Sequence, residues 1–343
     1  MNDPILDTLC LPFEDGTLTL PGDGPALFLR ARTGEALRRL PRDRFLCDQS
    51  FKPARDVLAR DGFALRDHET AETYGLTLVL PPRQREEGRA LLARAVRSTR
   101  EGGIVMAAVS NLEGAKTVEN DLKSLTGIVT ALSKNKCRVF WARIDAGRLN
   151  NERLDEWAGL DAPRRVVDDR FLSRPGLFAW DHIDAGSRLL IDTLPPALKG
   201  RVADLGAGFG YLAHEALTRY PLIIHLDAVE AEARALDMAR QNLAPFGDRV
   251  GYLWLDATGP LPGPYDVVVS NPPFHVDRQD RHELGQAFIR SAAKALTPSG
   301  TLWMVANRHL PYEETLKAVF RNVETAAQTP LYKVFRAVGL KKA

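Results

Sequence analysis

Seven residues in the C-terminal half, Asp204-Leu205-Gly206-Ala207-Gly208-Phe209-Gly210, constrain this chain more than any other feature. They continue the short apolar run Arg201-Val202-Ala203-Asp204-Leu205, which the pattern predicts as a strand. Alternating glycines let the backbone turn sharply at the strand end and pass close to a ligand there. Tyr211 to about Arg219 then reads as a helix. Strand, glycine turn and helix in that order open a parallel α/β sheet.

The alternation continues, with strands predicted at Leu222–Val229, Val250–Leu255, Tyr265–Ser270 and Gly300–Ala306, and helices at Ala231–Leu243, Arg281–Leu296 and Pro311–Phe320. Val323–Ala327 and Tyr332–Val338 follow without a helix between them, so the sheet should end in a hairpin with one strand antiparallel to the rest. The N-terminal half repeats the rhythm more faintly, with strands at Arg44–Leu46, Thr77–Leu80 and Gly103–Val109 and a helix at Arg85–Ser98. Its first strand-end loop is read as Phe45-Leu46-Cys47-Asp48-Gln49-Ser50, which contains no glycine and so cannot bring backbone close to a ligand. A chain of 343 residues favours two domains of roughly 150 residues. The charged, weakly periodic stretch Arg148–Arg174 is read as the connection, giving domains at 1–160 and 161–343.

Glu230 ends the second strand about 20 residues beyond the glycine loop, the place of a carboxylate that accepts the ribose hydroxyls of a nucleotide cofactor. Gly206, Gly208, Gly210, Asp204 and Glu230 together suit a nucleotide-type cofactor, and a dinucleotide oxidoreductase would satisfy the same loop. Asp256, just past the third strand, is either an acceptor for an adenine amino group or a turn Asp. The deciding motif is Ser270-Asn271-Pro272-Pro273-Phe274-His275, at the end of the fourth strand and hence on the same sheet edge. An amino group conjugated with a base ring is a poor nucleophile, because its lone pair is delocalised. Two acceptors aimed at its hydrogens, the Asn271 side-chain carbonyl and the Pro272 main-chain carbonyl, can pyramidalise it toward a sulfonium methyl, while consecutive prolines stiffen the loop. Phe274 can stack on the base. The chemistry is in-line methyl transfer from S-adenosylmethionine, with S-adenosylhomocysteine as product and no metal required. His275 is read as a wall residue, and Trp180, Trp254 and Trp303 as core or rim packing.

Composition narrows the partners. The formal net charge of +2 is far from the basicity of proteins held to nucleic acid mainly through phosphates, so a nucleic-acid partner has to be argued from the site. Cys10, Cys47 and Cys137 are widely spaced and form no zinc pattern, so they read as free thiols of a reducing compartment. With no signal-like N-terminus and no long apolar run, a cytoplasmic chain with no membrane partner is expected.

With these residues in place the chain resembles the bacterial ribosomal RNA guanine N2-methyltransferases, the RsmC and RlmG group. Pro175-Gly176-Leu177-Phe178, Ile183-Asp184-Ala185-Gly186-Ser187, Ser270–His275 and Val305–Tyr312 are similar to family segments, and Cys47-Asp48-Gln49 and Asn111–Val118 carry the weaker N-terminal likeness. Ala179-Trp180 departs from the family pattern. The resemblance implies two tandem Rossmann-like class I methyltransferase domains, the N-terminal one degenerate and the C-terminal one a mostly parallel seven-stranded sheet. It also implies Asp184 and Ser187 as cofactor neighbours, and an N-terminal domain that supports folding and engages RNA. A monomer acting on ribosomal RNA or a ribosomal subunit, 16S rather than 23S rRNA, is expected. DNA adenine, protein glutamine and a non-catalytic assembly factor are the alternatives. Arg30 to Arg44, with Arg38 and Arg39 at its centre, is a candidate RNA patch or a solvated face.

Overall fold

A computed structural model of the chain describes residues 3–22, 24–68, 71–273 and 280–341, with the side chains of 280 and 281 left aside. Its contacts divide the chain into two units, Met1–Ala162 and Pro163–Ala343.

In the first unit the described strands are β1 Ala26–Leu29, β2 Phe45–Asp48, β3 Ala64–Leu65, β4 Tyr74–Val79, β5 Thr99–Ser110, β6 Thr130–Lys134 and β7 Cys137–Arg143. In the second they are β8 Arg164–Val166, β9 Phe171–Ser173, β10 Gly200–Leu205, β11 Ile223–Glu230, β12 Val250–Trp254, β13 Tyr265–Ser270, β14 Leu296–Asn307, β15 Phe320–Gln328 and β16 Tyr332–Leu340. Apart from the β8–β9 hairpin, each unit forms one sheet, in the orders β3-β2-β1-β4-β5-β7-β6 and β12-β11-β10-β13-β14-β16-β15. The two orders are the same topology. In each, the strands up to the fifth pair in parallel, and the terminal hairpin pairs antiparallel to them.

The central strands are apolar because helices cover both faces of the sheet. Val202 faces a core with Leu190, Leu212, Leu217 and Val305, while its neighbours Ala203 and Leu205 face Val268, Phe288, Ile289 and Met304. Phe28 and Leu78 point to one face of the first sheet, and Leu27, Leu29 and Val79 to the other. Each such fully buried aliphatic or aromatic side chain contributes about 1.5–3 kcal/mol. The edge hairpin is different, since β15 is exposed or intermediate at every position after Phe320.

Two sequence expectations are corrected here. Residues 45–50 are not the loop after the first strand: Phe45–Asp48 is the second strand of the first unit, and only Gln49 and Ser50 lie beyond its end. The true first strand is β1 at Ala26–Leu29, and four apolar residues with no glycine turn after them carry no periodicity to reveal it. The loop topologically matched to the glycine run is therefore Arg30–Gly34, and it does contain a glycine. The stretch Arg148–Arg174 is not a bare connection either. It holds the helix Asn151–Ala158, buried through Leu154 and Trp157, and the β8–β9 hairpin, anchored by Phe171. Two buried residues in an eight-residue helix are too few to show a period.

Candidate active site

The glycine run links β10 to the helix Tyr211–Arg219, and Gly206, Gly208 and Gly210 all have positive φ, at 79°, 57° and 94°. A Cβ on Gly210 would lie 3.3 Å from Ala239 and Leu243, so this glycine lets two helices approach. A Cβ on Gly208 would meet nothing within 4 Å, so this turn borders open space. Glu230, at the tip of β11, holds the loop from the side: Oε2 accepts from the Gly208 amide at 2.8 Å and Oε1 from the Glu232 amide at 2.8 Å. Burial raises its carboxyl pKa above the ordinary value, and these amides pull it back.

Asp204 is fully buried, and neither carboxylate oxygen has a hydrogen-bond partner among the described residues. Burial, with a smaller contribution from the Glu230 charge, pushes its pKa up to about 7, with the Ala213 amide opposing. A buried acid opposed only by the Ala213 amide costs free energy unless a ligand supplies further charge or donors.

Beside this loop β13 ends in Ser270-Asn271-Pro272. The Ser270 hydroxyl donates to the Leu205 carbonyl at 2.8 Å, tying the end of β13 to the start of the glycine run. The Asn271 amide nitrogen donates to Asp184 Oδ2 and to Ser187 Oγ, both at 2.8 Å. Asp184 caps the helix Ala185–Thr193 and accepts from the Ser187 amide at 2.8 Å with the same Oδ2. A carboxylate accepts only, so the amide of Asn271 can sit one way round. Its carbonyl oxygen is then left buried with no partner among the described residues.

Asp184, Ser187, Asp204, Gly206, Gly208, Gly210, Glu230, Asn271 and Pro272 thus meet at the carboxyl edge of one sheet. Asp256 stands in an Asx turn, its Oδ1 accepting from the Thr258 amide at 2.9 Å and hydroxyl at 2.7 Å. Phe274 and His275 lie outside the described residues. Of the tryptophans, Trp303 is in the core, Trp254 donates to the Ala231 carbonyl at 2.8 Å, and Trp180 packs on the cluster around Phe171 with Arg164 stacked at 5.4 Å.

The methyltransferase small domain family matches residues 168–336. The ribosomal RNA small subunit methyltransferase C of Cronobacter sakazakii is 31% identical over 285 residues, 83% of this chain and 80% of that one. The chain belongs to the ribosomal RNA small subunit methyltransferase C family. The Escherichia fergusonii protein of the same name is 29% identical over 76% of this chain and 75% of its own. Among solved structures, a T. thermophilus 16S rRNA N2 methyltransferase (RsmC) in complex with AdoMet and guanosine superposes with a TM-score of 0.80 at 23% identity, covering 98% of this chain and 92% of that one. At that identity the match speaks for the fold, and it extends over both units.

Sequence reasoning missed one residue that ties elements together beside the glycine run. Asn242, on the helix Ala233–Leu243, accepts from the Leu172 amide at 2.7 Å and donates to the carbonyls of Leu172 and Phe209, both at 2.8 Å. It pins the β8–β9 hairpin to the glycine run. An Asn on a helix carries no sequence signal for this, since its partners are backbone atoms 70 and 33 residues away.

Proposed function

We propose that this chain transfers the methyl group of S-adenosylmethionine to the exocyclic N2 amine of a guanine in 16S ribosomal RNA. The observation that carries the reading is the Asn271 carbonyl oxygen, buried and unpartnered while its amide nitrogen is doubly held. An acceptor kept vacant at the edge of a sheet fits a substrate that brings its own N–H donors.

The residues present fit the cofactor. The unpartnered buried carboxylate of Asp204 matches its ammonium group, Gly208 borders open space for close approach, and Glu230, already fixed by two amides, has lone pairs left for ribose hydroxyls. When bound, the cofactor supplies an electrophilic methyl on a sulfonium. The protein's part is orientation. Asn271 Oδ1 and the Pro272 carbonyl accept from the two amine hydrogens, turning the lone pair out of the ring plane, and once the methyl is attached the amine releases its proton to solvent water. Alignment of this kind is worth several kcal/mol of barrier without covalent catalysis. Phe274 is proposed to stack on the base.

The first unit is proposed to support folding and RNA recognition without chemistry, a reading favoured by Phe28 and Gln49 standing there at the positions matched to Asp204 and Glu230. The test is to incubate the full chain with methyl-labelled S-adenosylmethionine and unmodified small subunits or 16S rRNA, then identify labelled nucleosides by mass spectrometry. N2-methylguanosine is the expected product. Label in adenosine, or in protein glutamine, would overturn the substrate assignment.

A further inference from the structure

Asn271 can present its carbonyl oxygen to a substrate only if its amide is held the right way round, and the structure shows what holds it. Rotation by 180° about the terminal bond would exchange Oδ1 and Nδ2 at almost no intrinsic cost. The direction must come from partners. Asp184 Oδ2 receives two N–H donors, from the Ser187 main chain and from Asn271 Nδ2, each at 2.8 Å. Its position is fixed because Asp184 is the N-cap of the helix Ala185–Thr193. The second Asn271 proton goes to Ser187 Oγ, and Ser187 is only 8% exposed. Gly186 completes the arrangement: a Cβ there would lie 3.0 Å from Asp184 Oδ2 and 3.1 Å from the Tyr332 ring, pressing on the brace.

Resting on the methyl-transfer reading above, we propose that Asp184 is a positioning residue. It locks the Asn271 amide so that Oδ1, and never Nδ2, meets the substrate amine. In this role Asp184 acts on the orientation of the acceptor and not on cofactor affinity. Ser187 seconds it. A flipped Asn271 would point Nδ2 at the substrate amine, donor against donor, and would simultaneously set Oδ1 against the Asp184 carboxylate, so both contacts change sign together.

The chemistry gives a test that separates orientation from mere support. Asp184→Ala removes the acceptor, and turnover should fall about ten- to a hundredfold with cofactor KM changed by less than about threefold. Asp184→Asn can still place a carbonyl oxygen where Oδ2 stood, keeping the helix cap, and should recover most of that loss. A second pair of variants reads the contact directly. Asn271→Asp sets two carboxyl groups in hydrogen-bond contact, and like charges so close cannot both ionise. While the pair holds one proton, the introduced carboxyl can donate to Asp184 and still offer an acceptor, so this variant's activity should fall as pH rises through a raised pKa. Adding Asp184→Asn removes the facing charge and should move that limb to lower pH.

The same variants are examined without turnover, by 15N–1H spectra of protein labelled at asparagine. The Asn271 side-chain amide protons should be resolved and protected from exchange in the parent chain and in Asp184→Asn, and unprotected in Asp184→Ala. A parent chain that makes no N2-methylguanosine but shows these protected protons would overturn the proposed reaction and leave the brace standing. An active parent chain would overturn the brace if Asp184→Ala raised KM alone, or if the Asn271→Asp profile ignored residue 184. Unchanged protection in Asp184→Ala would overturn it too. Should Asp184→Ala fail to fold, the pH profiles of the two Asn271→Asp chains decide the matter by themselves.

Discussion

The two sheets share one topology, yet their carboxyl edges are chemically opposite. Leu29 pairs with Asp48 and Val79 as Leu205 pairs with Val229 and Ser270, so the residues beyond can be matched one by one. Where the second unit has Asp204, Gly206, Gly208, Glu230 and Asn271, the first has Phe28, Arg30, Arg32, Gln49 and Leu80. Backbone geometry outlasts the chemistry in places. Arg30 keeps the left-handed φ of Gly206, at 55°, and Gln49 Oε1 accepts from the Phe51 amide at 2.8 Å as Glu230 Oε1 does from Glu232. Gln49 donates with its other end to the Ala31 carbonyl, at 2.5 Å. A buried core specifies this fold in both units, while these five matched edge positions carry different residues.

The comparison is most sharply tested at Asn271, whose counterpart is Leu80. Asn271→Ala should lower turnover by about two orders of magnitude while leaving S-adenosylhomocysteine affinity within a few-fold, because an orienting acceptor is lost and the cofactor's own contacts are not. Equal losses in both would mean that Asn271 serves binding.

Glu230→Gln makes the second edge like the first. A Gln there would turn its amide toward the Ala207 carbonyl as Gln49 does toward Ala31, and a charge-assisted contact worth about 1.5–3 kcal/mol would go. Calorimetry should report roughly a ten- to hundredfold weaker S-adenosylhomocysteine. Unchanged affinity would remove Glu230 from the cofactor site.

Asp204 gives a pH signature. With its pKa raised to about 7 from an ordinary 3.8, the folded chain holds this proton more tightly than the unfolded chain. The stabilisation is complete below the ordinary value and is lost as pH rises through about 7. Asp204→Asn has no such proton to lose. Without cofactor, the Tm of Asp204→Asn should exceed the parent's by several degrees at pH 8, the gap opening between about pH 4 and 7. A gap independent of pH would show that Asp204 is not the titrating group.

Much of this was legible in the sequence because the second unit punctuates itself. The glycine run, Glu230 and Asn271-Pro272 each sit at a strand end, where pattern and chemistry coincide. The first unit lacks that punctuation, so β1 disappears into its surroundings and the pattern points to the wrong strand as first. Hydrogen bonds made to backbone, such as those of Asn242, leave no trace in residue spacing. The Asp256 turn and the Asn271 brace depend on side-chain directions that no motif encodes.

The arginine patch shows the same limit and yields the smallest expected effect. Arg38 pairs with Asp61 at 2.8 Å, Arg39 with Glu14 at 2.6 Å and Glu35 at 3.5 Å, and Arg32 with Asp3 at 2.5 Å. Charges already matched within their own unit release few counterions on binding RNA. Changing Arg38 and Arg39 together to Ala should leave the slope of log affinity against log salt within about half a unit. A drop approaching two units would restore the patch as an RNA contact.

Counting cofactor sites tests the contrast between the two edges most directly. Titration of the full chain with S-adenosylhomocysteine in a calorimeter should give one site per chain, and that site should weaken in Glu230→Gln while Gln49→Ala leaves it unchanged. Two sites per chain, or a single site that responds to Gln49 and ignores Glu230, would contradict the account.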